Sequence, residues 1–540
     1  MANVTTTVAS PKRSAYTIGF GGGFAYQAAG HTQELAGFVP SLRSADAEVR
    51  QGRDRIVARS RDIDRNNGLI NGGIDRRVDA VVGANIWLKC KPNFAAMGMS
   101  AEWADEWAIR TEALFSTWAN SSRFLCDAER HHQFGGMVRL AYRHFVTEGE
   151  ACAAVKWLDR GGMFATAIQI VDPDRISNPD ARPDSRDLIG GVELDRNGAE
   201  KAYHVRVGHP GDGGVDAMRW ERVARETNTG RPLFVRAIDK RRAHQHRAIG
   251  RLAAVMARVQ QQSLADKTEL QAQITNAVFG LYATSQRGSA DMAASMGPPS
   301  GAEDVASVDA DRVAFYEEGG LTFDGVRVAV VPDGDKIETL TAERASTNFV
   351  AFQSYIIRSI ASALGLSYEQ LSNDWSGINY SSARTLLNEI WRGLIADRHL
   401  FTQAFCTPIF AAWLEEAVAR DLIEVPGGKA MFYVFRDALT QCQWIGPGRG
   451  IIDRKKEAEG AQMDRAGGVS TLELDCAEQG RDWREVMWQR KREREAAIAY
   501  GLDPDEPAGG DAGGGDDEDD PDAGDAAESR EARGRTGVAA

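Results

Sequence analysis

The amino-acid sequence predicts a mixed α+β protein, mainly helical. Long stretches carry apolar residues at three- and four-residue steps, as in Phe349, Phe352, Ile356, Ile360 and Leu364, the spacing that gathers one face of a helix. Between residues 163 and 240 the pattern changes to short runs separated by turn residues, as in "FATAIQIVDPDRI" and "GVELDRNGAEKAYHVRV", which marks a small β-rich module. No apolar run is long enough to cross a bilayer, so no membrane is expected as a partner. The chain has 540 residues, 43% hydrophobic and 26% charged, the composition of an ordinary soluble chain with room for several parts.

In chain order, residues 1–40 are glycine-rich, lack an apolar signal core and read as a flexible segment. Residues 45–67 place Val49, Ile56, Val57 and Ile63 among many charges, predicting one exposed amphipathic helix. "GLINGGIDRRVDAVVGANIWLKCKP" predicts a helix, a turn at Gly83-Ala84-Asn85 and a strand. Residues 101–160 read as helical throughout, including "FGGMVRLAYRHFVTEGEACAAVKW". In the β-rich module, Asn197-Gly198 supplies the φ > 0 positions of a hairpin.

Residues 247–276 return to helix, "VFGLYATS" is strand-like, and 286–313 has few bulky apolar residues and reads as a flexible loop. A β-rich run closes with a turn at Pro332-Asp333-Gly334. The helix over 346–364 is capped by Ser346 or Thr347 and ended by Gly365 in a left-handed C′ position. The next helix starts near Ser381. At Pro408 it either kinks or restarts, with Thr407 as cap. "LELDCAEQGRDWREVMWQRKREREAAIAYGL" predicts a charged helix pair.

The net charge of −13 is concentrated in residues 503–540, which carry about −10 and too little apolar surface to fold. The remainder is close to neutral, which argues against a tight phosphate-gripping protein. Six cysteines (Cys90, Cys126, Cys152, Cys406, Cys442, Cys476) never form CxxC and read as reduced thiols.

A search for catalytic patterns returns little. GxxxxGK[ST] is absent, and "GPGRG" (446–450) lacks its Lys-Ser/Thr and reads as a turn. His131-His132 and His244-Gln245-His246 lack metal-site spacing and read as exposed. Asp172, Asp174 and Asp180 in "VDPDRISNPD" evoke a metal-dependent nuclease, but two prolines in so short a span favour a turn. No catalytic residue, metal or cofactor is expected, and the residues alone describe a non-enzymatic protein.

Several runs, in order, resemble the lambda-type bacteriophage portal proteins: "VDPDRISNP", "GVELDRNGAEKAYHV", "STNFVAFQSYIIRSIASALGLSYEQLSNDWSGINYSSAR", "FCTPIFAAWLEEAVARDLI", "WIGPGRGIIDRKKEAEGA" and "CAEQGRDWREV". The resemblance spans roughly residues 40–500. The SYEQL…NYSSAR core together with WIGP…KEAEGA is specific. "HQHRAIGRLAAVM" (244–256) departs from the family's usual run, and 286–313 looks like an insertion.

The resemblance implies a portal fold assembled as a ring, usually of twelve copies, at one capsid vertex in the virion, formed in the host cytoplasm. Double-stranded DNA passes through its axis, without sequence specificity, during packaging and ejection. The implied partners are the terminase large subunit, which is the separate motor, a head-completion or tail connector protein, and the major capsid and scaffold proteins. The implied parts are a wing (41–257), a stem helix (258–276), a clip (277–340), a second stem helix (341–365), a tunnel loop (366–380), a long wing helix and its return (381–440) and a crown (441–502), followed by a disordered acidic tail.

The DNA-channel loop would comprise Ser372, Asn373, Asp374, Trp375, Ser376, Gly377, Ile378, Asn379 and Tyr380, polar and glycine-broken between two helices. Trp375 would touch the lumen or anchor in a neighbouring subunit, the second being the commoner fate of an indole. Two rival readings are a metal-dependent DNA-processing enzyme using the 172–180 aspartates and a generic capsid or scaffold protein.

Overall fold

The computed structural model describes residues 35, 37–278, 282–285, 335–338, 349–377, 379–450 and 454–501, in two compact units divided after Pro447. The expectations for residues 1–34, the loop 286–313, the Pro332-Asp333-Gly334 turn, the cap at Ser346 or Thr347 and the acidic tail 503–540 lie outside these residues.

The first unit opens with three helices, α1 (Ala45–Arg50), α2 (Arg53–Asn66) and α3 (Gly68–Val81). The single helix expected over 45–67 is therefore two, broken at Gln51-Gly52. Asn67 separates α2 from α3 and caps α3 by accepting from Ile70 N at 3.1 Å. Strand β1 (Trp87–Cys90) follows, then α4 (Ala101–Ala119) and α5 (Phe134–Glu148).

The expected helix does not continue past α5. Gly149, at φ 84°, ends it, and residues Glu150–Trp157 form strand β2. A strand buried on both faces carries no polar alternation, so "EACAAVKW" reads like buried helix by periodicity alone. β2 is the centre of an antiparallel sheet, flanked by β3 (Thr166–Val171) and β8 (Phe234–Ile238). A four-stranded antiparallel meander is built from β4 (Leu188–Ile189), β5 (Val192–Leu194), β6 (Glu200–Arg206) and β7 (Trp220–Ala224). Val171, Ile176, Val192, Tyr203, Val205 and Phe234 form a small core of their own within this module. At the β5–β6 connection only Gly198 takes a positive φ, at 84°. Asn197 does not, because the Asp195 carboxylate accepts from the N–H groups of Asn197 (2.8 Å) and Ala199 (2.7 Å) and shapes a longer loop.

Helix α6 (Met256–Val278) leads away, and β9 (Tyr282–Ser285) pairs antiparallel with β10 (Asp335–Glu338). The chain returns as α7 (Phe349–Leu364), a short α8 (Tyr368–Ser372) and the 40-residue α9 (Tyr380–Ala419). α9 runs unbroken through Pro408, so Thr407 does not cap a new helix. Phe405, Ile409, Phe410 and Trp413 are fully buried on either side of the proline, and this packing offsets the lost backbone hydrogen bond. Trp413 meets Phe115 of α4 edge-on at 5.1 Å, and Phe401 meets Tyr142 of α5 at 5.0 Å. The main core therefore forms where α9 crosses α3, α4 and α5. Helix α10 (Lys429–Leu439) and strand β11 (Cys442–Ile445), paired antiparallel with β1, complete the unit. All six cysteines are free thiols, and five are buried.

The second unit holds α11 (Arg454–Ala466), α12 (Leu472–Glu478) and α13 (Trp483–Ala499). The last two are the expected charged helix pair. "GPGRG" is coil.

Candidate functional site

The loop between α7 and α9 is held from below by packing and by arginines. Leu364, Leu366 and Leu371 are buried. Leu371 lies so close to α3 that a Cβ on Gly73 would stand 2.5 Å from its Cδ1. Gly365 takes the expected left-handed conformation, φ 64°. Arg76 donates to the carbonyl of Gln370 and, at 3.3 Å, to that of Leu371. Arg77 donates to the carbonyl of Leu364 and to the carboxylate of Asp397 on α9. Arg251 reaches the same carboxylate at 2.8 and 2.9 Å. Arg77 and Asp397 together thus tie α3, the end of α7, α9 and the segment before α6.

Above this base, Ser367 and Gln370 form a capping box, each side chain accepting from the other's backbone N–H at 3.1 Å. It nucleates α8, so the expected tunnel loop 366–380 contains one short helix. Ser372 is consequently the last residue of α8, half-buried, and Tyr380 is the first of α9. Asn373, Asp374, Trp375, Ser376 and Gly377 form the exposed turn, and Asn379 is exposed. Ile378 and the Tyr380 side chain lie outside the described residues.

Asn373 ends α8 at φ 62°. Ser372 Oγ accepts from Asp374 N at 3.2 Å. The Asp374 carboxylate accepts from Ser376 Oγ at 2.6 Å and Ser376 N at 3.1 Å. These two bonds, the hydroxyl first, hold its pKa below the ordinary aspartate value, so it stays ionised through the neutral range. Asn379 Oδ1 caps α9 by accepting from Ser382 N at 2.9 Å. The Trp375 side chain is 46% exposed. The arrangement presents one fixed carboxylate, hydroxyls and a half-bare indole on a rigid base. It offers hydrated contact.

The base was missed by sequence reasoning, and a signal for it existed. Arg77 sits in the apolar stripe Ile70, Ile74, Val78 and Val81 of α3, and Asp397 sits in the stripe Leu394, Phe401 and Phe405 of α9. Opposite charges on two apolar stripes point to a buried pair.

The other candidates separate. Asp172 and Asp174 converge with His209, but Arg61 occupies the space between them, 2.7 Å from Asp172 and 2.9 Å from Asp174. Arg53 adds 3.3 Å to Asp174. Both aspartates are therefore held in ion pairs with arginine. Asp180 lies on a separate turn and pairs with Arg182 at 3.5 Å. Both Asp172 and Asn178 precede a 3-10 turn opened by proline, in line with the turn reading. His131, His132 and His244 are exposed as expected. His246 is not: it is buried, with Nδ1 2.8 Å from Asp46. Arg247 beside it is buried against Glu150 at 3.0 Å and donates to the carbonyls of Pro173, Ile176 and Gly190. The segment 244–250 is thus a strap across the β-module, and burial of its polar side chains follows from these partners.

The sequence model of the lambda family of phage portal proteins matches residues 31–398, a span that includes the whole loop. The chain belongs to that portal family. It is 31% identical over 495 residues to the portal protein of Escherichia phage N15, covering 90% of this chain and 91% of that one. It is 30% identical over 477 residues to portal protein B of Escherichia phage lambda, covering 87% and 89%. Among solved structures, the neck of a native gene transfer agent particle is similar at a TM-score of 0.41 and 11% identity, covering 78% of this chain and 95% of that chain. The two curated portal relatives extend well beyond the family-model match and reach into the second unit's sequence.

Proposed function

We propose that this portal-family chain closes into a ring of twelve copies at one capsid vertex of the virion and that double-stranded DNA passes along the ring axis during packaging and ejection. The observation that carries the reading is the family match over residues 31–398. The chain acts as a connector without enzymatic activity. The terminase large subunit docks early, on the clip 277–340, and a head-completion or tail connector protein replaces it. Major capsid and scaffold proteins surround the wing 41–257 during assembly in the host cytoplasm.

Residues Ser372–Tyr380 face the channel and touch DNA in passing. Their support is a polar, exposed turn held rigidly between two helices, with one ionised carboxylate that repels phosphate. The stem segments, 258–276 and 341–365, pack on neighbouring copies. The exposed apolar side chains Leu264, Leu270, Ile274, Val350 and Phe352 support that role. Negative-stain imaging and mass measurement of the purified chain at micromolar concentration test the proposal. Rings with an axial hole are expected. A monodisperse monomer, closed shells or filaments overturn it.

A further inference from the structure

Helix α13 has no buried residue. Met487, Arg490, Lys491, Arg494 and Ile498 fall at i, i+3, i+4, i+7 and i+11, inside about 100° of helix circumference, and all five are exposed. This stripe holds three bases and no acid. Glu485, Glu493 and Glu495 project from other sides of the helix. The ion pair from Lys491 to Glu495 spans 3.8 Å with both side chains well exposed, a contact that contributes little in water. Arg492 lies off the stripe, 4.7 Å over the Trp488 ring. A basic stripe of this kind suits a flexible polyanion.

The same chain carries an acidic run. The described residues stop at Gly501, just past the end of α13. Within the acidic sequence that follows, Asp516–Asp522 reads "DDEDDPD", six acids in seven residues. The stripe's bases lie about 10–17 Å back along the helix from Gly501 at 1.5 Å per residue. For a tether of the intervening length, random-chain statistics give a root-mean-square span of about 21 Å. Tether and distance match, which sets the local concentration of the acidic run in the millimolar range.

We propose that the acidic run Asp516–Asp522 docks on the Arg490–Lys491–Arg494 stripe of its own α13 and competes there with DNA. The contact is electrostatic and salt-sensitive, and it does not depend on ring formation.

Two measurements on the full chain test it. Carbodiimide cross-linking followed by mass spectrometry should join Lys491 to the 516–522 carboxylates. The yield should fall several-fold when salt rises from about 50 mM to about 500 mM, which shortens the screening length from about 14 to about 4 Å. It should also fall in the R490E/R494E variant, which keeps Lys491. Cross-links spread evenly over exposed lysines such as Lys156 and Lys201, or unchanged in that variant, overturn the docking. Second, full chain with the six acids of the run changed to Asn or Gln should bind a short duplex of random sequence several-fold tighter at low salt. The gain should vanish when R490E/K491E/R494E is added. Equal binding overturns the competition, and so does a gain that survives the stripe substitutions, which would be general repulsion by the tail.

Discussion

Glu150 shows what a single residue holds in this fold. It begins β2, fully buried, and receives Arg247 at 3.0 Å, Arg236 at 3.4 Å and Ala248 N at 2.5 Å, with Arg53 at 3.8 Å. Burial pushes its carboxyl up, but Arg247, Arg236 and Arg53 outweigh that and hold it at about 2, against an ordinary 4.5. The folded state therefore favours the ionised form. Its contribution is complete above about pH 4.5 and is lost as pH falls towards 2, on the order of 3 kcal/mol. Acid titration followed by tryptophan fluorescence should show stability falling across that window. Glu150→Gln should flatten this dependence while costing about 3–5 kcal/mol at neutral pH, because buried guanidinium groups lose their counter-charge. A variant with the same acid slope as wild type removes Glu150 from the linkage. Gly73 acts by absence. Gly73→Val should cost about 1–3 kcal/mol, since its side chain enters the space of Leu371 and Leu364. Chemical denaturation measures it, and faster amide exchange at 371–376 would locate the damage under the loop.

At the scale of elements, what the sequence revealed depended on how far each signal was local. The α7 stripe, the Gly365 stop, the β1 strand and the α12–α13 pair rest on nearby residues, and each forms where its pattern lies. The β2 strand and the strap 244–250 were misread because distant partners decide them: β3 and β8 pair with the two edges of β2 while the main core and the module's small core cover its two faces, and Glu150, Asp46 and three carbonyls take in Arg247 and His246. The loop itself was legible as polar and exposed, whereas its base, from Arg76, Arg77 and Arg251 to Asp397, joins residues up to 320 positions apart. Asp374 both closes the turn and supplies the loop's charge, and two substitutions separate these roles. Asp374→Asn keeps an acceptor for Ser376 and removes the charge. Asp374→Lys removes the acceptor and reverses the charge, adding one phosphate contact per copy. If charge keeps DNA moving, packaging rate should fall modestly for Asn and strongly for Lys, with rings intact in both. Normal full-length packaging in both variants would make the loop a passive connector. Trp375→Ala should lower ring stability if the indole anchors a neighbour, and leave it unchanged if the indole faces the lumen.

For the whole molecule, the decisive feature is an apolar stripe that outruns its own core. Phe349, Phe352, Ile356, Ile360 and Leu364 share one face of α7, yet only Ile356, Ile360 and Leu364 are fully buried. Phe352 is 50% exposed. On α6, Leu264, Leu270 and Ile274 are all more than half exposed. The two helices touch each other through Gln353 and Asp266, so their bare faces are not simply waiting to meet. Burying a side chain such as Leu or Phe is worth about 1.5–3 kcal/mol, and repetition around a closed ring multiplies that gain at every junction. A neighbouring copy is the partner that the proposed assembly supplies. The paired substitution Phe352→Glu and Leu270→Glu tests this. Because both side chains are largely exposed in the single chain, its thermal midpoint should move little, with unfolding free energy within about 0.5 kcal/mol of wild type. Assembly should collapse, with mass photometry shifting from ring to monomer. The substitutions place charges into an interface that needs apolar contact. Rings that persist in the double variant would mean that these faces lie outside the subunit junction, and the stem assignment would have to move to other helices.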